Sequence, residues 1–202
     1  MKPFFKRIIF LFLLILLSTT AFSSYIFIPM DLSQKNHLKA YGIAYFSVSK
    51  GVDVSWLLNY QGGSFMLPYN SLIEDECVIR DVSFQVIADV QASVILQEIA
   101  SLENNMNEIR LTKVPKIAVY SPKNKLPWDD AVTLVLTYAE IPYDIIYDEE
   151  VVTGMLPKYD WLHLHHEDFT GQYGKFWGCY KNAIWYINDV KENETMAAKL
   201  GF

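Results

Sequence analysis

The chain has 202 residues, with 17 cationic and 23 acidic side chains, a net charge of −6 and 51% hydrophobic residues. That length accommodates one full domain or two small ones. Its acidic balance, with no basic cluster beyond the first residues, argues against nucleic acid and anionic membrane surfaces as partners.

The first 23 residues read as a signal peptide. Lys2, Lys6 and Arg7 form a positive start, residues 8–17 are an unbroken apolar run, and Ala21 and Ser23 stand like a cleavage site. An apolar run of about 10 residues is too short to cross a hydrocarbon layer of about 30 Å as a permanent helix. Cleavage near Ser23 is expected, leaving residues 24–202 and taking the net charge from −6 to −9 as three leader cations are lost. The expected location is exported, periplasmic or secreted, with membrane contact through the signal peptide alone.

Residues 25–29 are β-rich and end at Pro29. Asp31 or Ser33 is placed to cap a helix with apolar positions Leu38, Tyr41, Ala44, Tyr45 and Val48, closed by Gly51. Residues 52–58 read as a strand, Gly62-Gly63 as a turn and 64–67 as the strand that follows. A helix is predicted over 71–80, a strand over 83–87, and a helix over 90–101 capped by Asp89. Polar residues 103–113 read as a connector, the expected boundary between an N-terminal α/β region, 24–112, and a second region, 113–202.

After that boundary the pattern restarts. Residues 116–120 read as a strand, 121–128 as a loop carrying Pro122 and Pro127, and Asp129 or Asp130 as the start of a helix reaching Glu140. Strands are predicted over 143–147 and 159–164, and a helix over 183–200 with apolar positions Ile184, Ile187, Val190 and Met196. Short strands alternating with longer helices predict βαβ units and an α/β fold with a mainly parallel sheet. Lys199-Leu200-Gly201-Phe202 reads as a helix stop. It leaves few strands for a doubly wound domain, so a truncated product is expected.

The richest polar cluster is His163-Leu164-His165-His166-Glu167-Asp168, at the end of a predicted strand. Ligands of open α/β sheets bind at such strand ends. Alternation sets Trp161, His163 and His165 on one side and Leu162, Leu164 and His166 on the other. His163, His165, His166, Glu167 and Asp168 are therefore read as ligand contacts, with strand-end hydrogen bonding as the plainer alternative. Two imidazoles and a carboxylate also suit zinc or iron, which leaves a metal-dependent hydrolase open. No H-E-x-x-H signature accompanies them, and the one other histidine is His37, so no metal and no cofactor is assigned.

Other features read more simply. The 121–128 loop lacks G-x-G-x-x-G and P-loop signatures. Gln61-Gly62-Gly63-Ser64-Phe65 reads as a hairpin turn, and Gly171, Gly174 and Gly178 mark an irregular aromatic segment. Cys77 follows three acids and Cys179 lacks the second glycine of a nucleophile elbow, so structural roles are expected for both. An exported compartment permits them to pair.

Six segments resemble a known family: Ile28-Pro29-Met30-Asp31, Asn36-His37-Leu38-Lys39-Ala40-Tyr41-Gly42, Leu58-Asn59-Tyr60-Gln61-Gly62-Gly63-Ser64-Phe65, Ala118-Val119-Tyr120-Ser121-Pro122, Trp128-Asp129-Asp130-Ala131-Val132, and Trp161-Leu162-His163-Leu164-His165-His166-Glu167-Asp168-Phe169. They are similar to an exported bacterial family labelled asparagine synthetase B. The resemblance implies a class I glutamine-amidotransferase-like or flavodoxin-like α/β domain, starting near residue 113 and incomplete. It also implies that the nucleophilic cysteine of longer relatives lies outside this chain, so the fragment is expected to be inactive. An asparagine synthetase mechanism itself is not supported, because residue 2 is Lys and no Ser-Gly-Gly-x-Asp-Ser loop occurs. The partner implied is a small amide or a cell-envelope component, with a non-catalytic periplasmic binding protein as the alternative.

Overall fold

The computed structural model describes residues 24–121, 131–164 and 173–201. The chain divides into two compact units, Met1–Thr112 and Lys113–Phe202.

In the first unit the chain runs β1 (Ser24–Ile28), α1 (His37–Ser49), β2 (Val54–Leu58), β3 (Ser64–Pro68), α2 (Ser71–Ile79), β4 (Gln85–Ala88), α3 (Asp89–Ile99) and β5 (Asn107–Leu111). The five strands form one sheet in the order β4-β1-β3-β2-β5, and every neighbouring pair is antiparallel. The expected fold, a mainly parallel sheet of class I amidotransferase-like or flavodoxin-like kind, is thus overturned: the larger sheet is antiparallel throughout, and only a small three-stranded sheet in the second unit is parallel. The reason lies in the connections. A crossover helix makes β1 and β2 run the same way, but the tight turn after β2 folds β3 back between them; β1 likewise separates β3 from β4. This is the split βαβ connectivity, extended by α3 and β5. Periodicity reports which elements exist and is silent on which strand lies beside which.

Local chemistry explains the helices. Asn36, rather than Asp31 or Ser33, caps α1, its side chain accepting from Lys39 N at 3.2 Å. Ala40, Ile43, Ala44, Ser47 and Val48 form the buried stripe, and the buried Ser47 hydroxyl donates to Ile43 O at 2.8 Å. Asn70 caps α2, which buries Ile73 and Cys77 one turn apart. In place of the Asp89 cap, α3 begins at Asp89 itself, and Gln91 Oε1 accepts from Ala88 N at 3.0 Å.

Strand alternation sends Ile26, Ile28, Phe65 and Leu67 to one face, and the edge-on contact of Tyr41 with Phe65 marks that face as α1's. Phe27, Leu57, Met66 and Ile87 form the opposite face, packed with Ala92 and Ile99 of α3. Burying each such side chain contributes about 1.5–3 kcal/mol. Gln34, 5% exposed, ties the ends of three elements together. Its Nε2 donates to Pro29 O and Ser83 O, and its Oε1 accepts from Asn36 N and Ser83 N. Residues read as connector include β5, which pairs with β2 along its whole length.

The second unit runs β6 (Ile117–Tyr120), α4 (Ala131–Ala139), β7 (Asp144–Ile146), α5 (Asp148–Val152), a single 3-10 turn (Leu156–Lys158), β8 (Trp161–Leu164), α6 (Tyr173–Tyr180) and α7 (Ile184–Leu200). Its three strands are parallel, in the order β7-β6-β8. Here a parallel sheet does form, though a small one. Ile117, Val119 and Leu136 make its core, with Val132, Ile141 and Tyr143 packed on it. Two helices were not foreseen: α5, and α6, which replaces the expected irregular segment over residues 173–180. Among the described residues no helix is long and apolar enough to cross a membrane.

Candidate functional site

The site is built from the start of β8 upward. Asp160 accepts from Lys116 N at 2.9 Å and from Lys113 Nζ at 3.0 Å. The Lys116 amide, and then Lys113, hold its carboxyl below the usual carboxylate range. Asp160 N in turn donates to Lys116 O at 2.9 Å. This exchange fixes the register in which Ile117, Ala118, Val119 and Tyr120 face Trp161, Leu162, His163 and Leu164.

From that register the sheet's two faces follow. Ile117, Val119, Trp161 and His163 share the face on which Leu136 of α4 packs. Ala118, Tyr120, Leu162 and Leu164 lie on the other. His163 is half-buried beside Val119, in a strand, as expected. His165, His166, Glu167 and Asp168 lie outside the described residues.

On the face opposite His163 is a cavity of about 470 Å³. Leu162 and Leu164 of β8, Tyr120 of β6, Val151 and Val152 of α5, Leu156, and Ala197 and Leu200 of α7 form most of its wall. Among the described residues, the polar groups on the wall are the Tyr120 hydroxyl, Asp148 and Asn193. Tyr120 donates its hydroxyl proton to Asp148 Oδ1, and its ring lies 5.2 Å from that of Tyr147. The next two acids are engaged elsewhere. Glu149 Oε1 meets Lys199 Nζ at 3.3 Å, and Glu150 Oε2 accepts from Tyr147 N at 3.0 Å.

No protein-family model, curated protein or solved structure matches the chain. The site therefore rests on its own geometry.

Other singled-out residues find structural roles. His37 Nε2 lies 3.1 Å from Met30 O and 3.0 Å from Asp31 O; two carbonyl acceptors make this nitrogen the donor. The Gln61–Phe65 turn has Gln61, Gly62 and Gly63 at positive φ, and Met30 N donates to Gln61 O at 3.0 Å. Of the 121–128 loop only Ser121 is described. It is buried, and its N donates to Ile146 O at 3.0 Å.

Both cysteines are free. Cys77 is buried in α2 of the first unit, and burial pushes its thiol up to about 12. Cys179 is exposed on α6. Among the described residues, no group of three or more His, Cys, Asp or Glu is placed to hold a metal ion.

Sequence reasoning missed Tyr120, Asp148 and Asn193. The first two had a signal. Tyr120 is the last residue of a predicted strand, and Asp148-Glu149-Glu150 is an acidic run of the kind that opens helices. Asn193 had none. Of the apolar positions read for α7, Ile184, Ile187 and Val190 are exposed and Met196 is half-buried, while Asn193, Ala197 and Leu200 line the cavity.

Proposed function

We propose that the chain is an exported protein of the cell envelope, of the kind its motifs resemble, and that it binds a small molecule at the carboxyl ends of β6 and β8. The ligand is an amide or a cell-envelope component. His163, His165, His166, Glu167 and Asp168 contact it as the chain leaves β8.

The supporting observation is the strand order. β6 lies between β7 and β8, so the chain leaves β6 toward one side and returns on the other. In parallel sheets this reversal opens a crevice beyond the strand ends, and ligands bind there. Neither of the chain's two cysteines is set up as a nucleophile. A buried thiol at about 12 has almost no thiolate near neutrality. Cys179 sits within a helix and not on a strand-to-helix elbow.

The test is thermal unfolding of the full chain against a panel of small amides and N-acetylated amino sugars. A true ligand at a hundred times its Kd stabilises by about 2.7 kcal/mol. The shift should vanish in a His165→Ala, His166→Ala, Glu167→Ala variant. A shift that survives all three substitutions would refute the assignment. Fractionation with N-terminal sequencing tests export: the mature chain should begin near Ser24.

A further inference from the structure

We propose that the cavity on the sheet face opposite His163 is a second binding site, for an organic monocation with a compact apolar body. The wall takes Leu164 from the histidine-rich segment but none of the five residues read there as ligand contacts, and the proposal stands independently of them.

Three observations carry this. Its volume of about 470 Å³ lies within the roughly 300–1,000 Å³ of small-molecule pockets. Its wall is mostly Leu, Val and Ala from β8, α5, α7 and the turn at Leu156, so an apolar body of modest size gains from entering. Among its described wall residues the one formal charge is Asp148.

The formal charge of the described wall has one sign. Tyr120 gives its proton to Asp148, so that hydroxyl hydrogen is already engaged and the carboxylate sets the charge of the wall. Asn193 adds a neutral amide, which can accept through its carbonyl or donate through its NH2. No lysine, arginine or histidine is part of the described wall; the nearby Lys199 is held by Glu149. An anionic ligand would meet Asp148 without a counter-charge, and a neutral donor could hydrogen-bond to the carboxylate but would leave its charge unbalanced. An ammonium group supplies both the donor and the opposite charge, in a charge-assisted hydrogen bond.

Isothermal titration of the full chain with phenethylammonium, 2-phenylethanol and 3-phenylpropanoate tests the assignment, since the three probes share an apolar body and differ in charge. Phenethylammonium should bind saturably and at least about tenfold more tightly than the alcohol, with the carboxylate weakest. Asp148→Asn should erase the preference for the ammonium while leaving the alcohol's affinity within about twofold. Ala197→Trp, which fills the cavity from α7, should weaken all the probes that bind. Leu162→Trp does so from β8 if the first variant fails to fold, as judged by circular dichroism. Equal affinities, a preference for the carboxylate, or no saturable binding would overturn the proposal. So would binding that survives the folded cavity-filling variant, which would place it elsewhere, such as the exposed Ile184–Ile187–Val190 face.

Discussion

Replacing Gly62 with alanine sets one stretch of backbone against another. Gly62 has φ +80°, and a Cβ there would stand 2.3 Å from Met30 O, 2.5 Å from Met30 C and 2.9 Å from Asp31 N. All three are backbone atoms, so relief requires the chain itself to move. That movement would disturb the Met30 N–Gln61 O hydrogen bond and the seat of His37 on the same carbonyls. Gly51 supplies the control, because it has φ +78° but nothing within 4 Å of a Cβ. Gly51→Ala should therefore cost only the left-handed backbone term, about 1–2 kcal/mol. Gly62→Ala adds overpacking of about 1–3 kcal/mol, for about 2–5 kcal/mol together. Hydrogen exchange with mass spectrometry, read in peptides covering 54–68, is the assay. Protection should fall roughly 30- to several-thousand-fold in Gly62→Ala and roughly 5- to 30-fold in Gly51→Ala. Equal losses would show that the close approach to Met30 carries no energy.

Three further outcomes are expected. N-ethylmaleimide should label Cys179 within minutes in the native protein and Cys77 only after urea is added; comparable rates would contradict the buried thiol. The Cys77 thiol titrates near 9.0 when unfolded and about 12 when folded. Between those values the unfolded state has lost a proton that the folded state keeps, so stability falls as pH rises, by about 1.4 kcal/mol per pH unit at most. Urea midpoints of wild type and Cys77→Ala compared from pH 8 to 11 should show the steeper decline in wild type, and parallel curves would refute it. Gln34→Leu strands the Pro29 and Ser83 carbonyls and the Asn36 and Ser83 amides. It should cost about 2–4 kcal/mol in urea unfolding, and an unchanged midpoint would show that water replaces the amide.

Much of the element order was legible because it depends on local chemistry. The β1, β2, β3 and β6 strands and the α1, α2, α3 and α7 helices come from short-range periodicity, caps and glycines. Sheet topology was not legible, because it depends on which strands meet. The Asn59–Gly63 turn held the clue. A tight hairpin between two crossover helices forces β3 to lie antiparallel beside β2, and this rules out a purely parallel sheet. β5 was hidden by its polarity: Asn107, Glu108 and Arg110 suit an exposed edge strand, where charge discourages pairing with another chain. In the second unit, a strand ending in His163 was visible from alternation. The cavity was not, because it joins Tyr120, Asp148 and Asn193 from three separated elements.

Histidine-ring NMR probes the strand-end binding site most directly, because the chain has only four histidines. His37 belongs to the first unit and serves as an internal reference. Titrating the full chain with the strongest stabiliser from the amide and amino-sugar panel should shift the ring signals of His163, His165 and His166 along one saturating curve, with His37 unmoved. If His37 moves equally, or the three rings stay still while the protein is stabilised, the ligand does not sit where β8 ends.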